Sequence, residues 1–175
     1  ALKILEKKPR KAVFYSFVLL DEGKMSTRSG NVVLLEDFMS EALKKSGDEL
    51  KQRYKKIDNK AAKVIGYGSI KYGILKVSPE KNVIFNWQQA LSFEGETAPY
   101  IQYAYARISS IIRKNKNKLP KKADFSLLDS KEEVELIKKL ADFPNIVEKT
   151  GNELRPSIIA NYVYELAKQF NEFYH

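Results

Sequence analysis

One stretch constrains the fold of this chain more than any other. Residues 13–20, VFYSFVLL, form a short continuous run of apolar, aromatic and β-branched side chains closed by Asp21-Glu22-Gly23. Such a run predicts a buried strand entering a loop, residues 23–31. Residues 32–35 add a second brief β-like run, but no full set of alternating strands and helices precedes the loop. A complete α/β sheet is therefore not available to this chain, and most of the sequence beyond residue 35 has helical spacing. The expected fold class is mainly α, a helical bundle preceded by a small α/β piece.

Residues 36–56 predict a helix with Phe38, Ala42 and Leu43 on its apolar face, and the Ser46-Gly47 pair is a candidate break in it. Residues 61–76, AAKVIGYGSIKYGILK, are glycine-rich, yet their spacing fits neither GxGxxG after a strand nor GxxxxGK[ST]. On a helical wheel Ala62, Gly66, Ser69 and Gly73 share a narrow arc, a stripe of small residues that lets another backbone approach closely. Each interior glycine costs about 1 kcal/mol of helix propensity, so this helix must be buried and held by its neighbours. Thr97-Ala98-Pro99 predicts a helix start that runs to about residue 114. Ser130 with Glu133 is a capping box for a helix to Asp142, with Val134, Ile137, Leu140 and Ala141 on one face. Pro144 sets off a short segment to Glu153, and Pro156 opens a last helix, residues 157–174, with Ile159, Val163, Leu166, Phe170 and Phe173 on a wide apolar arc. Trp87, the single tryptophan, is expected to be a packing residue joining the two regions.

Composition narrows the chemistry. With 31 Lys+Arg against 22 Asp+Glu the net charge is +9, which favours an anionic partner such as nucleic acid or a phosphorylated ligand. The charge is uneven: a net +5 over residues 1–60, +7 over 61–125 and −3 over 126–175. There is no cysteine, and the one histidine, His175, is the last residue, so neither a metal site nor a histidine base is expected. No apolar run approaches the ~20 residues of a membrane span, and the first eleven residues lack the apolar core of a signal peptide. A soluble, cytoplasmic protein with no membrane partner is expected.

The loop Gly23-Lys24-Met25-Ser26-Thr27-Arg28-Ser29-Gly30-Asn31 places two cations and three hydroxyls between two glycines. Composition alone leaves an exposed polar turn open. It also suits a polyphosphate, which backbone N–H groups, hydroxyls and a Lys/Arg pair can surround while the glycines let the loop close. The residue order separates the two: Lys24-Met25-Ser26 resembles the KMSKS signature of class I aminoacyl-tRNA synthetases, and GKMSTRSGNVVLLED resembles the arginyl-tRNA synthetase version. The resemblance continues through residues 61–76, then LSFEGETAPYIQYAYARI (91–108) and ELRPSIIANYVYELAKQFNEFYH (153–175).

This resemblance implies an ATP-dependent ligation of arginine to tRNA(Arg), by way of arginyl adenylate and pyrophosphate. Lys24 and Ser26 would be the catalytic residues, stabilising the ATP phosphates, and Met25, Thr27 and Arg28 would complete the ATP-binding set. Thr27 stands in place of the signature's second lysine, and Ser29 stands where many relatives carry a further lysine. Mg2+ would accompany ATP in the full enzyme, with no cofactor bound by this stretch alone. Because the family's HIGH-like motif with its two histidines is missing, the chain is expected to be an internal piece, inactive by itself and monomeric. Residues 1–92 would be the C-terminal end of the catalytic domain with connecting helices, and 93–175 the helical anticodon-binding domain.

On the helix from Thr97, Ile101, Ala104, Ile108, Ile111 and Ile112 fill one arc, while Tyr100, Tyr103 and Arg107 share an adjacent one. Two aromatic faces beside a guanidinium suit unstacked RNA bases, which gain about 1–3 kcal/mol each by stacking. The same tyrosines could instead be core with hydrogen-bonded hydroxyls. In the last helix Tyr162, at the edge of the apolar arc, and Tyr164, among polar residues, are further tRNA-binding candidates. Arg113, Lys114, Lys116, Lys118, Lys121 and Lys122 put six basic residues within ten. Such a run is either a solvated loop or, with Lys114 and Lys116 nearest the tyrosines, a contact to the RNA backbone. Two rivals remain: a stand-alone tRNA-binding module without chemistry, and a helical scaffold whose aromatics and lysines are core and surface only.

Overall fold

The computed structural model describes residues 12–20, 34–55, 58–115 and 124–174. The whole Lys24-Met25-Ser26 loop, with Thr27 and Arg28, lies outside the described residues, as do Lys116, Lys118, Lys121, Lys122 and His175.

Two short strands, seven α-helices and a 3-10 turn (Phe125–Leu127) make up the described part: β1 (Val18–Leu20), α1 (Leu35–Tyr54), α2 (Asn59–Leu75), β2 (Val83–Phe85), α3 (Trp87–Ala90), α4 (Ala98–Lys114), α5 (Lys131–Ala141), α6 (Phe143–Glu153) and α7 (Pro156–Tyr174). The mainly α reading holds. Strands β1 and β2 pair in parallel, Val18 opposite Val83, so α1 and α2 together form the crossover between them. The predicted strand over 13–20 is shorter and more open than its sequence suggested. Only its last three residues pair, while Phe14 and Tyr15 are 79% and 87% exposed. The reason is the sheet: among the described residues it has two strands, too few to cover that apolar run.

Helices α1 and α2 pack antiparallel through the small-residue stripe. Ala62, Gly66 and Ser69 are buried, and a Cβ placed on Gly66 would lie 2.7 Å from the Ala42 carbonyl oxygen. The Ser46-Gly47 pair does not break α1, which continues to Tyr54. The Ser46 hydroxyl is buried 2.6 Å from the Ala42 carbonyl and 2.7 Å from that of Ala62, so it ties α1 to α2 instead of unwinding it. Nor do residues 34 and 35 extend a strand: Leu34 is the extended N-cap residue and Leu35 the first of α1. Asp58 caps α2, its carboxylate accepting from the backbone N–H groups of Lys60 and Ala61 at 2.9 and 3.1 Å. The first core gathers Phe38, Ala42, Ile70 and Phe85, and Trp87 packs against it with its ring centroid 4.9 Å from each of the two phenylalanine rings.

The remaining helices form the bundle. Thr97 caps α4 by accepting from the Tyr100 N–H at 3.3 Å, with Pro99 in the first turn. The capping box of α5 is present in both directions, 3.2 Å and 3.1 Å between Ser130 and Glu133. Helices α4 and α7 run parallel, Tyr100 beside Tyr164 and Arg107 beside Asn171. Between them lies the second core, Ala104, Ala167 and Phe170, with Tyr100, Ile101 and Leu136 packed on it. Two predicted faces need correction. Ile108, Ile111 and Ile112 do not finish the apolar arc of α4 inward, and Ile112 is 69% exposed, because the second core gathers on Tyr100, Ile101 and Ala104 in the first half of the helix. On helix α5 it is Leu136 that packs on the second core, while Val134, Ile137 and Leu140 stay partly open.

The two cores are joined by α2 against α4 and by side chains that cross between the halves. Gln102 donates to the Val64 carbonyl at 3.0 Å, Lys76 to the Glu96 carbonyl at 2.7 Å, and Arg155 pairs with Glu80 at 3.2 Å. Near this seam lies a cavity of about 50 Å3 lined in part by Ser69 and Tyr72, whose buried hydroxyls have no partner among the described residues. Burial, followed by the nearby Glu96 carboxylate, pushes the Tyr72 phenol well above its ordinary range. No described helix is long and apolar enough to cross a membrane.

Candidate nucleic-acid interface

The basic, aromatic surface suggested by the sequence is partly assembled on α4. Tyr103, 49% exposed, and Arg107 one turn later lie together, with the guanidinium carbon 4.8 Å from the Tyr103 ring centroid and one of its nitrogens donating to the Tyr103 hydroxyl at 3.2 Å. Their i, i+4 spacing puts them on one helix face. Lys114 is exposed on the same helix, and a groove of about 360 Å3 runs along Tyr103, Arg107, Ser110 and Lys114.

The other wall of the groove comes from α7. Tyr174 brings its ring centroid to 4.4 Å from the Arg107 guanidinium carbon, and the Asn171 side-chain oxygen accepts from Arg107 at 3.0 Å. Neither residue stood out in the sequence. Their only sequence signal is their i, i+3 spacing on the last turn of an amphipathic helix, and it acquires meaning once the parallel packing of α4 and α7 is known.

The remaining tyrosines are placed differently. Tyr100 leaves the Tyr103–Arg107 pair and packs on the second core, its ring 5.6 Å from that of Tyr164. Tyr164 is half-buried in that pair and does not stand free among polar residues. Tyr162 is 5% exposed, its ring 5.8 Å from that of Phe143 and its hydroxyl donating to the Lys139 carbonyl at 2.8 Å. Burial, with Asp142 second, pushes its phenol up. In this structure its ring presents no open face to a base.

Among the described residues no cluster of three or more His, Cys, Asp or Glu could hold a metal ion. The groove itself presents charge, hydrogen-bond donors and ring faces. That chemistry suits an RNA chain, whose phosphates need cations and whose unstacked bases need aromatic faces.

Comparison with known proteins agrees in both halves. Residues 7–87 match the family model for the catalytic domain of class I tRNA synthetases (R), and residues 101–175 match the DALR anticodon binding domain. The arginine–tRNA ligase of Methanocella arvoryzae is 45% identical over 179 residues, covering 99% of this chain and 31% of that protein. That of Methanocaldococcus jannaschii is 42% identical over 175 residues, with the same coverage. The solved arginyl-tRNA synthetase of Thermus thermophilus superposes with a TM-score of 0.80 at 32% identity, over 92% of this chain and 26% of that one. The chain thus spans under a third of the length of the relatives it matches. A catalytic-domain segment and an anticodon-binding segment occur here in the order, and on the backbone, of those enzymes, so the chain belongs to the arginyl-tRNA synthetase family and corresponds to the stretch that joins its catalytic and anticodon-binding domains.

Proposed function

We propose that the protein to which this chain belongs ligates arginine to tRNA(Arg) with ATP, and that this stretch serves two of its tasks. Residues 1–92 end the catalytic domain, where Lys24 and Ser26, with Met25, Thr27 and Arg28 around them, hold the phosphates of ATP as the adenylate forms, and Mg2+ would accompany that ATP. Residues 93–175 bind the anticodon end of the tRNA.

A single observation supports the second task most directly: the groove in which Tyr103, Arg107 and Lys114 meet Tyr174. It joins an exposed ring to two cations, the pairing an unstacked, charged strand requires. Of the sequence-derived contacts we retain Tyr103, Arg107 and Lys114, together with Lys116, which lies outside the described residues. Tyr100 and Tyr164 pack ring against ring at the second core, and Tyr162 is buried against Phe143.

The test is a salt-titrated binding assay of the full-length protein against tRNA(Arg), the same tRNA with altered anticodon bases, and an unrelated tRNA. Weaker binding on anticodon change is expected, and equal binding to all three would reduce the bundle to a basic surface. For the loop, Lys24→Ala should abolish arginine-dependent ATP–pyrophosphate exchange, and unchanged exchange would remove Lys24 from the chemistry.

A further inference from the structure

Arg107 is held more tightly than binding a flexible strand by charge alone would require. Its guanidinium carbon lies over two rings, 4.8 Å from Tyr103 and 4.4 Å from Tyr174. One terminal nitrogen donates to Asn171 at 3.0 Å and the other to the Tyr103 hydroxyl at 3.2 Å. No carboxylate is paired with it among the described residues, so the charge is oriented without being neutralised. An arginine that only covered apolar surface would need no such frame.

A guanidinium has five N–H donors, and this arrangement engages two of them, one on each terminal nitrogen. Two rings already lie against the guanidinium carbon, which makes it a poor stacking platform for a base. What stays available is a set of charged N–H donors beside Ser110 and Lys114, and that set matches the oxygens of a phosphate.

We infer that Asn171 is a positioning residue that holds Arg107 as a fixed cationic fork for one phosphate of the bound RNA, with Tyr103 and Tyr174 bracketing the guanidinium. This rests on the reading of the bundle as tRNA-binding and adds a division of labour to it. Arg107 supplies affinity that is independent of sequence, while the outer face of Tyr103 is left for a base.

The choice of variants rests on the chemistry of Asn171. Asn171→Asp keeps an acceptor of the same size against Arg107 but cancels its charge, whereas Asn171→Ala keeps the charge and removes the hold. Full-length protein is titrated with tRNA(Arg) between about 50 and about 200 mM salt, a range over which each phosphate contact changes affinity about threefold. Arg107→Gln and Asn171→Asp should both lower the salt slope by about 1, equally for tRNA with native and altered anticodons. Asn171→Ala should weaken binding severalfold and keep the slope. Gln169→Glu adds the same charge to α7 away from Arg107 and should keep the slope as well.

A wild-type slope in Asn171→Asp, or an equal drop in Gln169→Glu, would overturn the inference. So would a loss in Arg107→Gln that depends on the anticodon, since that would make Arg107 a base reader. Failure of the parent reading looks different: the unaltered protein would then not discriminate among tRNAs. Circular dichroism of each variant separates lost contacts from lost folding.

Discussion

At the scale of single residues, the hydroxyls of half-buried Tyr72 and buried Tyr162 predict opposite outcomes for the same substitution. Tyr72 keeps a buried hydroxyl with no partner among the described residues, and Tyr162 spends its own on the Lys139 carbonyl at 2.8 Å. An unsatisfied buried hydroxyl costs about 1–3 kcal/mol, while a satisfied one contributes about 1. Tyr72→Phe should therefore stabilise the protein by about 1 kcal/mol and Tyr162→Phe should destabilise it by about as much, both measurable by urea denaturation. The sequence placed Tyr162 at the edge of an apolar arc, and that much is a matter of local period. Which way its hydroxyl faces depends on where α5 crosses α7, a position no local pattern carries. Tyr103 and Arg107 were legible together because their spacing lies within one helix. Asn171 and Tyr174 were not, because their partner is 64 and 67 residues earlier in the chain.

At the scale of elements, the contact of α1 with α2 separates two glycines that look alike in sequence. A methyl on Gly66 would meet the Ala42 carbonyl at 2.7 Å, whereas one on Gly47 meets nothing within 4 Å. Overpacking costs about 1–3 kcal/mol, so Gly66→Ala should lower stability despite its better helix propensity. Gly47→Ala should raise stability by about 1 kcal/mol, and thermal melts of the two variants give the comparison. The small-residue stripe announced this close approach because small side chains at helical spacing have few other uses. Ser46 misled for an understandable reason: serine competes with helix geometry when alone, and here its hydroxyl reaches two carbonyls on two helices. Helix starts were the most legible features, since Thr97 and Ser130 cap within their own first turns. Inward faces were less so, as Ile112 and Leu140 show, because exposure depends on which turns a neighbouring helix packs against.

At the scale of the whole molecule, the halves are tied by a charge pair whose strength depends on pH. The Ser78 hydroxyl beside Glu80, then its own backbone and Arg155, lower the Glu80 carboxyl from 4.5 to about 2. A depressed carboxyl stabilises the fold above its unfolded value and stops doing so once protonated. The contribution is thus complete above about pH 4.5 and disappears as pH falls toward about 2. Arg155→Ala should raise the Glu80 titration midpoint only partway, since Ser78 remains, and a carboxyl-detected NMR titration measures the difference. That pair, 75 residues apart, was beyond any sequence pattern. The parallel packing of α4 and α7 has a last consequence, and it concerns time. A ribosome finishes α4 some forty residues before it reaches the first turn of α7, and the groove gains its second wall only when Asn171 and Tyr174 emerge. Until then the nascent chain displays Tyr103 and Arg107 without the ring and the side-chain oxygen that frame the guanidinium.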